Sequence, residues 1–177
     1  LDVDLQPTDK AKALLGKSRH VAKNIPAMAW ADVPAFYASL EEPTLTHLAL
    51  RLLILTGARS TPLRNIRLEQ IEGNVWTVPA EAMKGRKGAT EDFRVPLSDE
   101  AQRVIDLARP HVRNGFLFPN SQKGVISDMT LSRHMERRGL EARPHGFRTS
   151  LRTWLAEATD APHEVAEAML AHVVDGG

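Results

Sequence analysis

Residues 144–160 read PHGFRTSLRTWLAEATD, a stretch with the composition of a helix that has a strongly cationic start. His145 and Arg148 stand three residues apart at this start, and Arg152 follows four residues later. Because the N-terminus of a helix is itself positive, a cation there is disfavoured by about 0.3–1 kcal/mol at an exposed site, whereas an anion is favoured. The charges are therefore either incidental or placed to receive an anion, and the rest of the sequence has to decide between the two.

The composition is that of a globular domain. Of the 177 residues, 42% are hydrophobic and 25% are charged, which excludes a disordered chain and suffices for one domain with a substantial core. No apolar run approaches the roughly 18–20 residues of a membrane span, and the first residues lack the pattern of a secretion signal. The absence of cysteine excludes disulfides, thiolate zinc sites and thiol nucleophiles, and it fits a reducing cytosol.

Positive charge is concentrated in one block of the sequence, although the net charge is only +1. Residues 101–152 contain ten lysines and arginines against four acids, whereas residues 153–177 contain five acids and no lysine or arginine. Each of these cations alone is explained as part of a solvated helix face. Together they indicate a surface suited to a polyanion.

Hydrophobic periodicity predicts a mainly helical fold with one small antiparallel sheet. Apolar spacing and capping residues predict helices over 30–40, 45–56, 60–71, 98–110, 127–140, 144–160 and 161–173. Alternating β-branched and aromatic residues predict strands over 74–80 and 93–98. The glycine-rich, charged residues 81–92 between the strands are expected to form a mobile hairpin loop.

Local signals also predict how some of these elements end and which of their side chains are buried. Gly57 is expected to end a helix in the left-handed conformation, and Ser60 or Thr61 is expected to cap the next one. The apolar side chains beside the cationic start of 144–160 are expected to lie in the core, namely Leu151, Trp154 and Leu155.

Cationic or imidazole side chains stand at the ends of several predicted elements, namely Arg59, Lys84, His145, Arg148 and His172. Rigid elements position residues at such junctions and leave them accessible, which is why functional groups are found there. All three residue types donate hydrogen bonds to phosphate oxygens, and arginine does so through two parallel donors. Each residue alone also has a structural explanation, such as a helix-end charge for Arg59 or a surface charge for Lys84. A zinc site is excluded, because His163 and His172 are nine residues apart and cannot share a helix face.

Taken in order, these residues lie in four blocks that resemble the tyrosine recombinase family, the site-specific integrases of phages and genomic islands. The blocks are TGARSTPLRNIRLEQI around Arg59, PAEAMKGRK and FRVPLS around Lys84, PHGFRTSLRTWLAEAT around His145 and Arg148, and AMLAH ending at His172. The resemblance covers residues 44–177 and implies that they are a catalytic domain with the DNA breaking-rejoining fold. Residues 1–43 resemble the linker, or lead-in, from a separate core-binding domain.

The resemblance implies that a tyrosine hydroxyl attacks the scissile phosphate of DNA and leaves a 3′-phosphotyrosyl bond and a free 5′-hydroxyl. No metal or nucleotide cofactor is needed, because the covalent intermediate keeps the phosphodiester energy. By the same resemblance, Arg59 and Arg148 would stabilise charge on the non-bridging oxygens, and Lys84 would protonate the leaving 5′-oxygen. His145 would help to move the nucleophile's proton, and His172 would hydrogen-bond the phosphate. The cationic helix start would then be explained by a DNA phosphate.

This sequence departs from the family pattern in two places. Many relatives carry an acid three residues after the first arginine, where this chain has Pro62. The family's tyrosine is expected roughly ten residues beyond the last histidine. The given sequence stops at Gly177, and its only tyrosine is Tyr37. We expect Tyr37 to be a packing residue and the nucleophile to be missing through truncation before its helix, which would leave this chain inactive in cleavage.

The resemblance also implies the partners. The first partner is double-stranded DNA that carries attachment sites. The second is further copies of the chain, which is expected to be a monomer without DNA and to assemble into a synaptic tetramer on DNA. No membrane is expected to be involved. The expected function is integration of a mobile element, and the expected location is the bacterial cytoplasm. Two alternatives stay open: a recombinase-like module that binds DNA without cleaving it, and an unrelated helical domain. Type IB topoisomerases share the chemistry, but the AMLAH block favours an integrase. A tyrosine encoded within about ten residues after Gly177 would favour the cleaving enzyme.

Overall fold

The computed structural model describes residues 25–83 and 91–170, in which seven α-helices and a three-stranded antiparallel sheet form the fold. The helices are α1 (Val33–Ala38), α2 (Leu45–Thr56), α3 (Ser60–Arg64), α4 (Asp99–Ala108), α5 (Asp128–Arg137), α6 (Phe147–Ala158) and α7 (His163–Met169). The strands are β1 (Ile71–Glu72), β2 (Val75–Val78) and β3 (Phe93–Pro96). The predicted fold class, mainly α with a small antiparallel sheet, is confirmed. Within these two ranges no helix is long and apolar enough to cross a membrane.

The core is built around α2, which is buried along most of its length. The Thr44 hydroxyl oxygen accepts the His47 backbone N–H at 3.3 Å, which satisfies one of the donors that a helix start leaves unpaired. Because α2 packs against α4, α5 and α6, it needs apolar residues around most of its circumference. Gly57 ends the helix at a φ of 60°, as predicted, because glycine adopts the left-handed conformation without steric cost.

The sheet has the order β1-β2-β3, and Trp76 of β2 lies opposite Val95 of β3. Trp76, Val78 and Val95 are buried, whereas Arg94 is exposed on the other face. This alternation is expected of a sheet with one face on the core.

The two longer strands confirm the strands predicted at 74–80 and 93–98, although each is shorter than its prediction. The two-residue strand β1 was not predicted, because so short a run carries no periodicity. The hairpin loop falls mainly on residues 84–90, which lie outside the described residues, so its mobility stays a prediction.

The helix after Gly57 is shorter than predicted. α3 ends at Arg64, so the predicted continuation to residue 71 is wrong. The Asn65 side-chain amide donates to the Thr61 carbonyl at 2.8 Å, and the Ile66 carbonyl accepts the Leu117 N–H at 2.9 Å. The Ile66 carbonyl is therefore bonded to a distant segment and is not available to accept a hydrogen bond within a longer helix.

The start of α3 also differs from the sequence-based prediction. Its N-cap is Arg59, in extended conformation, and the predicted caps Ser60 and Thr61 lie inside the helix. The reason is that the chain has only one residue, Ala58, between the left-handed Gly57 and this cap. The caps of α4 and α5 are the first residues of the helices predicted over 98–110 and 127–140, with Ser98 accepting from the Ala101 N–H and Ser127 from the Thr130 N–H.

Residues 144–160 form a 3₁₀ turn, Pro144–Gly146, followed by α6. Leu155 of α6 is buried as predicted, but the prediction that Trp154 lies in the core is wrong, because its exposed fraction is 40%. Trp154 and Trp30 instead line an apolar cleft of about 210 Å³ between α6 and the segment before α1. The Trp30 indole N–H donates to the Glu157 carboxylate at 2.8 Å at this edge of α6.

The predicted helix over 30–40 forms as the 3₁₀ turn Trp30–Asp32 and α1. Phe36 and Leu40 are buried in the main core. They belong to the predicted lead-in of residues 1–43, and the division of the chain at residue 44 stays a prediction.

Tyr37 packs between α1, α2 and α4, as its interpretation as a packing residue requires. Its hydroxyl donates to the Glu100 carboxylate at 2.6 Å, and the Arg51 guanidinium lies over its ring at 5.0 Å. Burial, and then the hydrogen bond to Glu100, raise the pKa of Tyr37 above its usual value. A raised pKa makes the Tyr37 oxygen a poorer nucleophile at neutral pH.

Two histidines meet where α2 packs against α5. The rings of His47 and His134 lie edge to face with centroids 4.8 Å apart, and within the described chain His47 Nδ1 and His134 Nε2 are buried without a hydrogen-bond partner. Burial, and then the neighbouring His47 and the positive charges of Arg138 and Arg137, lower the pKa of His134, while Glu42 raises it. The folded protein therefore favours the neutral His134 ring.

Alanine substitutions at Gly57 and Gly73 separate the cost of a left-handed backbone conformation from the cost of steric overlap. An alanine Cβ at Gly57 would lie 2.5 Å from Leu151 Cδ2, whereas at Gly73, which has a φ of 56°, it would meet nothing within 4 Å. Gly73→Ala should cost roughly 1–2 kcal/mol through the left-handed conformation alone. Gly57→Ala should cost about 1–3 kcal/mol more through overpacking. Urea denaturation measures both losses, and equal losses would refute the close packing of Leu151 on Gly57.

The contact between His47 and His134 predicts that the free energy of unfolding decreases in acid. Unfolded His134 titrates near its usual pKa of about 6.5, and the folded state binds this proton more weakly. The free energy of unfolding should therefore be complete above about pH 6.5 and decrease as the pH falls through 6.5 towards the lowered folded pKa. His134→Gln should flatten this part of the curve, whereas His111→Gln at an exposed position should not. Denaturation at several pH values tests this, and an unchanged slope in His134→Gln would contradict it.

Candidate active site

The side chain of Arg148 joins the carbonyl ends of two helices. One Nη donates to the Gly57 carbonyl at 2.6 Å, and the other donates to the Leu170 carbonyl at 2.5 Å. Gly57 is the C-cap of α2, and Leu170 is the C-cap of α7. The last carbonyls of a helix have no partner within it and carry the negative end of its dipole, so a buried cation is favourable there.

This geometry explains part of the cationic start of α6. Arg148 lies in the first turn of α6, where its charge is unfavourable for that helix, but its guanidinium reaches the negative ends of α2 and α7. The unfavourable charge at the start of α6 is thus offset by favourable interactions at the C-terminal ends of α2 and α7. Arg148 is 7% exposed, so these hydrogen bonds form where water competes little.

Arg59 brings a second positive charge to the same place. Burial, and then the positive charge of Arg59, lower the pKa of Arg148 to about 10. Arg148 therefore remains protonated at neutral pH. Arg59 is half-buried at the N-cap of α3, and within the described residues its guanidinium forms no hydrogen bond or salt bridge.

The two arginines border one small cavity between α3, α6 and the β2–β3 hairpin. It is lined by Ala58, Arg59, Pro62, Val78, Met83, Phe93, Val95 and Arg148. Two cations beside apolar walls repel each other, and a bound oxyanion would relieve that repulsion and accept hydrogen bonds from both. Within residues 25–83 and 91–170, no three His, Cys, Asp or Glu side chains lie together as a metal site requires.

Of the other three predicted site residues, the structure describes only His145. His145 is exposed in the 3₁₀ turn before α6 and does not line the cavity. Lys84 and His172 lie outside the described residues. In the chain, Lys84 directly follows the cavity residue Met83, and His172 comes two residues after Leu170, whose carbonyl Arg148 holds.

A buried carboxylate that the sequence patterns did not reveal fixes α7 to α6. Glu167 has an exposed fraction of 8%. Its Oε1 lies 2.7 Å from Arg152 Nε on α6 and 3.7 Å from His163 Nε2 on α7. The i, i+4 spacing of His163 and Glu167 was the available signal, and the pairing with Arg152 required the tertiary structure. This contact holds the C-terminal end of α7 where Arg148 reaches it.

The sequence of the chain is similar to those of known integrases. Residues 27–175 match the model of the phage integrase family. The chain is 36% identical over 153 residues to prophage integrase IntZ of Escherichia coli (strain K12), covering 82% of this chain and 37% of that protein. It is 27% identical over an alignment of 190 residues to the integrase of Enterobacteria phage P4, covering 96% of this chain and 43% of that protein. The chain thus spans less than half the length of these relatives.

Solved structures with low sequence identity share the fold. The Tn1549 transposon integrase in complex with transposon right end DNA superposes with a TM-score of 0.68 at 14% identity, covering 87% of this chain and 60% of that one. A lambda integrase tetramer bound to a Holliday junction gives a TM-score of 0.63 at 18% identity, covering 87% and 49%. The family model covers most of the chain, including the stretches that hold the four sequence blocks. This chain belongs to the phage integrase family of tyrosine recombinases.

Proposed function

We propose that this chain is the catalytic domain of a site-specific recombinase that integrates a mobile element by breaking and rejoining DNA. The observation that carries the proposal is the pair Arg59 and Arg148 on one cavity, in a chain of the phage integrase family. The two arginines come from different helices and are 89 positions apart in the sequence. Together they present the donors that a phosphodiester requires.

In this proposal the two arginines hold the non-bridging oxygens of the scissile phosphate. Negative charge grows on these oxygens as the phosphorus becomes five-coordinate, so fixed cations stabilise the transition state more than the ground state. Arg148 suits this role because the Gly57 and Leu170 carbonyls already fix its guanidinium. Arg59 lies beside it and can turn towards the phosphate.

The roles of the other three residues follow from their positions in the sequence blocks. Lys84 would protonate the leaving 5′-oxygen from the hairpin that borders the cavity. His145, in the turn before Arg148, would help to move the nucleophile's proton, and His172 would hydrogen-bond the phosphate. No metal or nucleotide cofactor enters this scheme, because the 3′-phosphotyrosyl intermediate conserves the energy of the broken bond.

Tyr37 is not the nucleophile in this proposal. It is the only tyrosine of the 177 residues, its hydroxyl is engaged by Glu100, and burial raises its pKa. It does not line the cavity with Arg59 and Arg148. The attacking hydroxyl would come from another tyrosine, so these 177 residues alone would bind DNA without cleaving it.

The solved relatives support DNA as the substrate and self-association as part of the reaction. The Tn1549 integrase is bound to transposon end DNA, and the lambda integrase is a tetramer on a Holliday junction. We propose that this chain likewise acts on double-stranded attachment sites in the bacterial cytoplasm, as a monomer that assembles into a tetramer on DNA. Residues 44–177 would form the catalytic domain, with residues 1–43 leading in from a core-binding domain.

A second candidate function is a DNA-binding module that never cleaves. The engaged hydroxyl of Tyr37 supports it, because within these residues no tyrosine hydroxyl lies at the cavity of Arg59 and Arg148. Both candidates predict DNA binding through Arg59 and Arg148, and they differ only in covalent chemistry.

Arg59→Ala should weaken binding to duplex DNA and lower the slope of log affinity against log salt by about one. The reason is that one phosphate contact and its released counterion are lost. Arg103→Ala is the matched control, because Arg103 is a 71% exposed arginine paired with Glu100 on α4. Fluorescence anisotropy across a salt series measures both variants. An unchanged slope in Arg59→Ala, or an equal change in the control, would contradict the phosphate site.

A covalent assay tests the account of the nucleophile. The 177-residue chain, incubated with a nicked suicide duplex that carries the attachment site, should give no covalent protein–DNA band on a denaturing gel. A band that Tyr37→Phe abolishes would show that Tyr37 attacks after all. A band that persists in Tyr37→Phe would refute tyrosine chemistry in this chain. A parent protein that extends beyond residue 177 and forms a band would exclude the non-cleaving module.

A further inference from the structure

Residues 26–28, here called the strap, cross the turn that carries His145. The Arg143 backbone N–H donates to the Pro26 carbonyl at 3.0 Å, before the turn. The Ser150 hydroxyl donates to the Met28 carbonyl at 2.5 Å, on the first turns of α6. Two hydrogen bonds therefore fasten the strap on both sides of Gly146.

Position 146 needs a glycine because the strap lies against it, and not because of its backbone conformation. Its φ of −63° and ψ of −23° are open to every L-residue. A Cβ at this position would overlap the Pro26 carbonyl oxygen and lie 2.8 Å from Ala27 Cα. Both are backbone atoms, which cannot move aside as a side chain does. The glycine thus allows the strap to lie directly on the turn.

Ser150 is a buried hydroxyl that the strap satisfies. It is 4% exposed, and its Oγ also lies 3.3 Å from the Gly146 carbonyl. A buried hydroxyl without a partner would be costly. The strap, Gly146 and Ser150 therefore meet in one contact, in which the Met28 carbonyl is the shorter-range acceptor of the Ser150 hydroxyl.

This contact adjoins the two predicted site residues of the turn. Gly146 directly follows His145 and precedes Arg148 by two residues. The guanidinium of Arg148 is held by the Gly57 and Leu170 carbonyls. We infer that the strap positions His145 and Arg148, and that Gly146 and Ser150 are positioning residues of the phosphate site. The inferred role in phosphate binding rests on the proposed function.

The test uses the full 177-residue chain with Gly146→Ala, Ser150→Ala and the double variant. Gly124→Ala is the matched control, because Gly124 also lies outside the left-handed region and its added Cβ would meet only the end of the Asn120 side chain, at 3.2 Å. The first readout is hydrogen exchange of the Arg143 amide, which reports the bond to Pro26. The second is the NMR signals of the Arg148 Nε–H and the His145 ring. The third is affinity for a mixed-sequence DNA duplex.

We expect each single variant to speed exchange at Arg143 by about tenfold, to shift the Arg148 and His145 signals, and to weaken DNA binding several-fold. The double variant should be little worse than either single variant, because both changes release the same strap. The control should change none of these. If Gly146→Ala fails to fold, Ser150→Ala, which removes only a hydroxyl, carries the same test.

Additive effects of the two substitutions would overturn the inference, and so would Arg148 and His145 signals that stay in place while the Arg143 amide is released. Signals that move while DNA affinity is unchanged would overturn the role in phosphate binding if Arg59→Ala weakens that affinity. If Arg59→Ala has no effect on DNA affinity either, the proposed function fails, and the NMR shifts still confirm that the strap positions the turn.

Discussion

The guanidinium of Arg148 lies between the carbonyl ends of α2 and α7, and the arrangement of three helices depends on it. It is attached to the start of α6, so one buried side chain fixes the end of the central core helix, the end of the last described helix and the turn that carries His145. A charge in this place is tolerated because both acceptors are helix C-termini, where unpaired carbonyls and the helix dipole are negative. Replacing the arginine with an apolar residue would leave two helix ends without a partner.

The cationic start of α6 thus has a structural cause as well as the proposed functional one. From the sequence alone, a helix start rich in cations pointed to an external anion. The structure adds internal partners, since backbone carbonyls take up the charge of Arg148 and the Glu167 carboxylate takes up that of Arg152. Backbone acceptors leave no trace in residue identities, so no sequence pattern could have revealed them. Arg59, which borders the same cavity, has no such internal acceptor within the described residues.

Local signals predicted the elements well, and contacts between distant segments set the deviations. Ser98, Ser127 and Gly57 act within one turn of their own position, so their caps follow from the sequence. The early end of α3 depends on pairing with Leu117, and the exposure of Trp154 depends on which segment covers α6; neither is encoded locally. Two positions of the candidate site, Arg59 and Arg148, line one cavity, and the roles that the sequence blocks imply for them stay a prediction. Gly146 is the opposite case, because it looks like a turn glycine but is required by a strap about 120 residues away in sequence.

Arg59 and Arg148 therefore differ in what their loss would mean. Arg148 is buried and bonded to two helix ends, so its replacement changes stability and the site together. Arg59 is half-buried and, within the described residues, makes no hydrogen bond or salt bridge, so its replacement removes charge from the cavity with little effect on packing. In the proposed recombinase site, the fixed guanidinium of Arg148 would need no reorganisation when charge develops on the phosphate, and Arg59 would supply the second donor group. A loss of function in an Arg148 variant can arise from either cause, whereas the same loss in an Arg59 variant reports the electrostatics of the site.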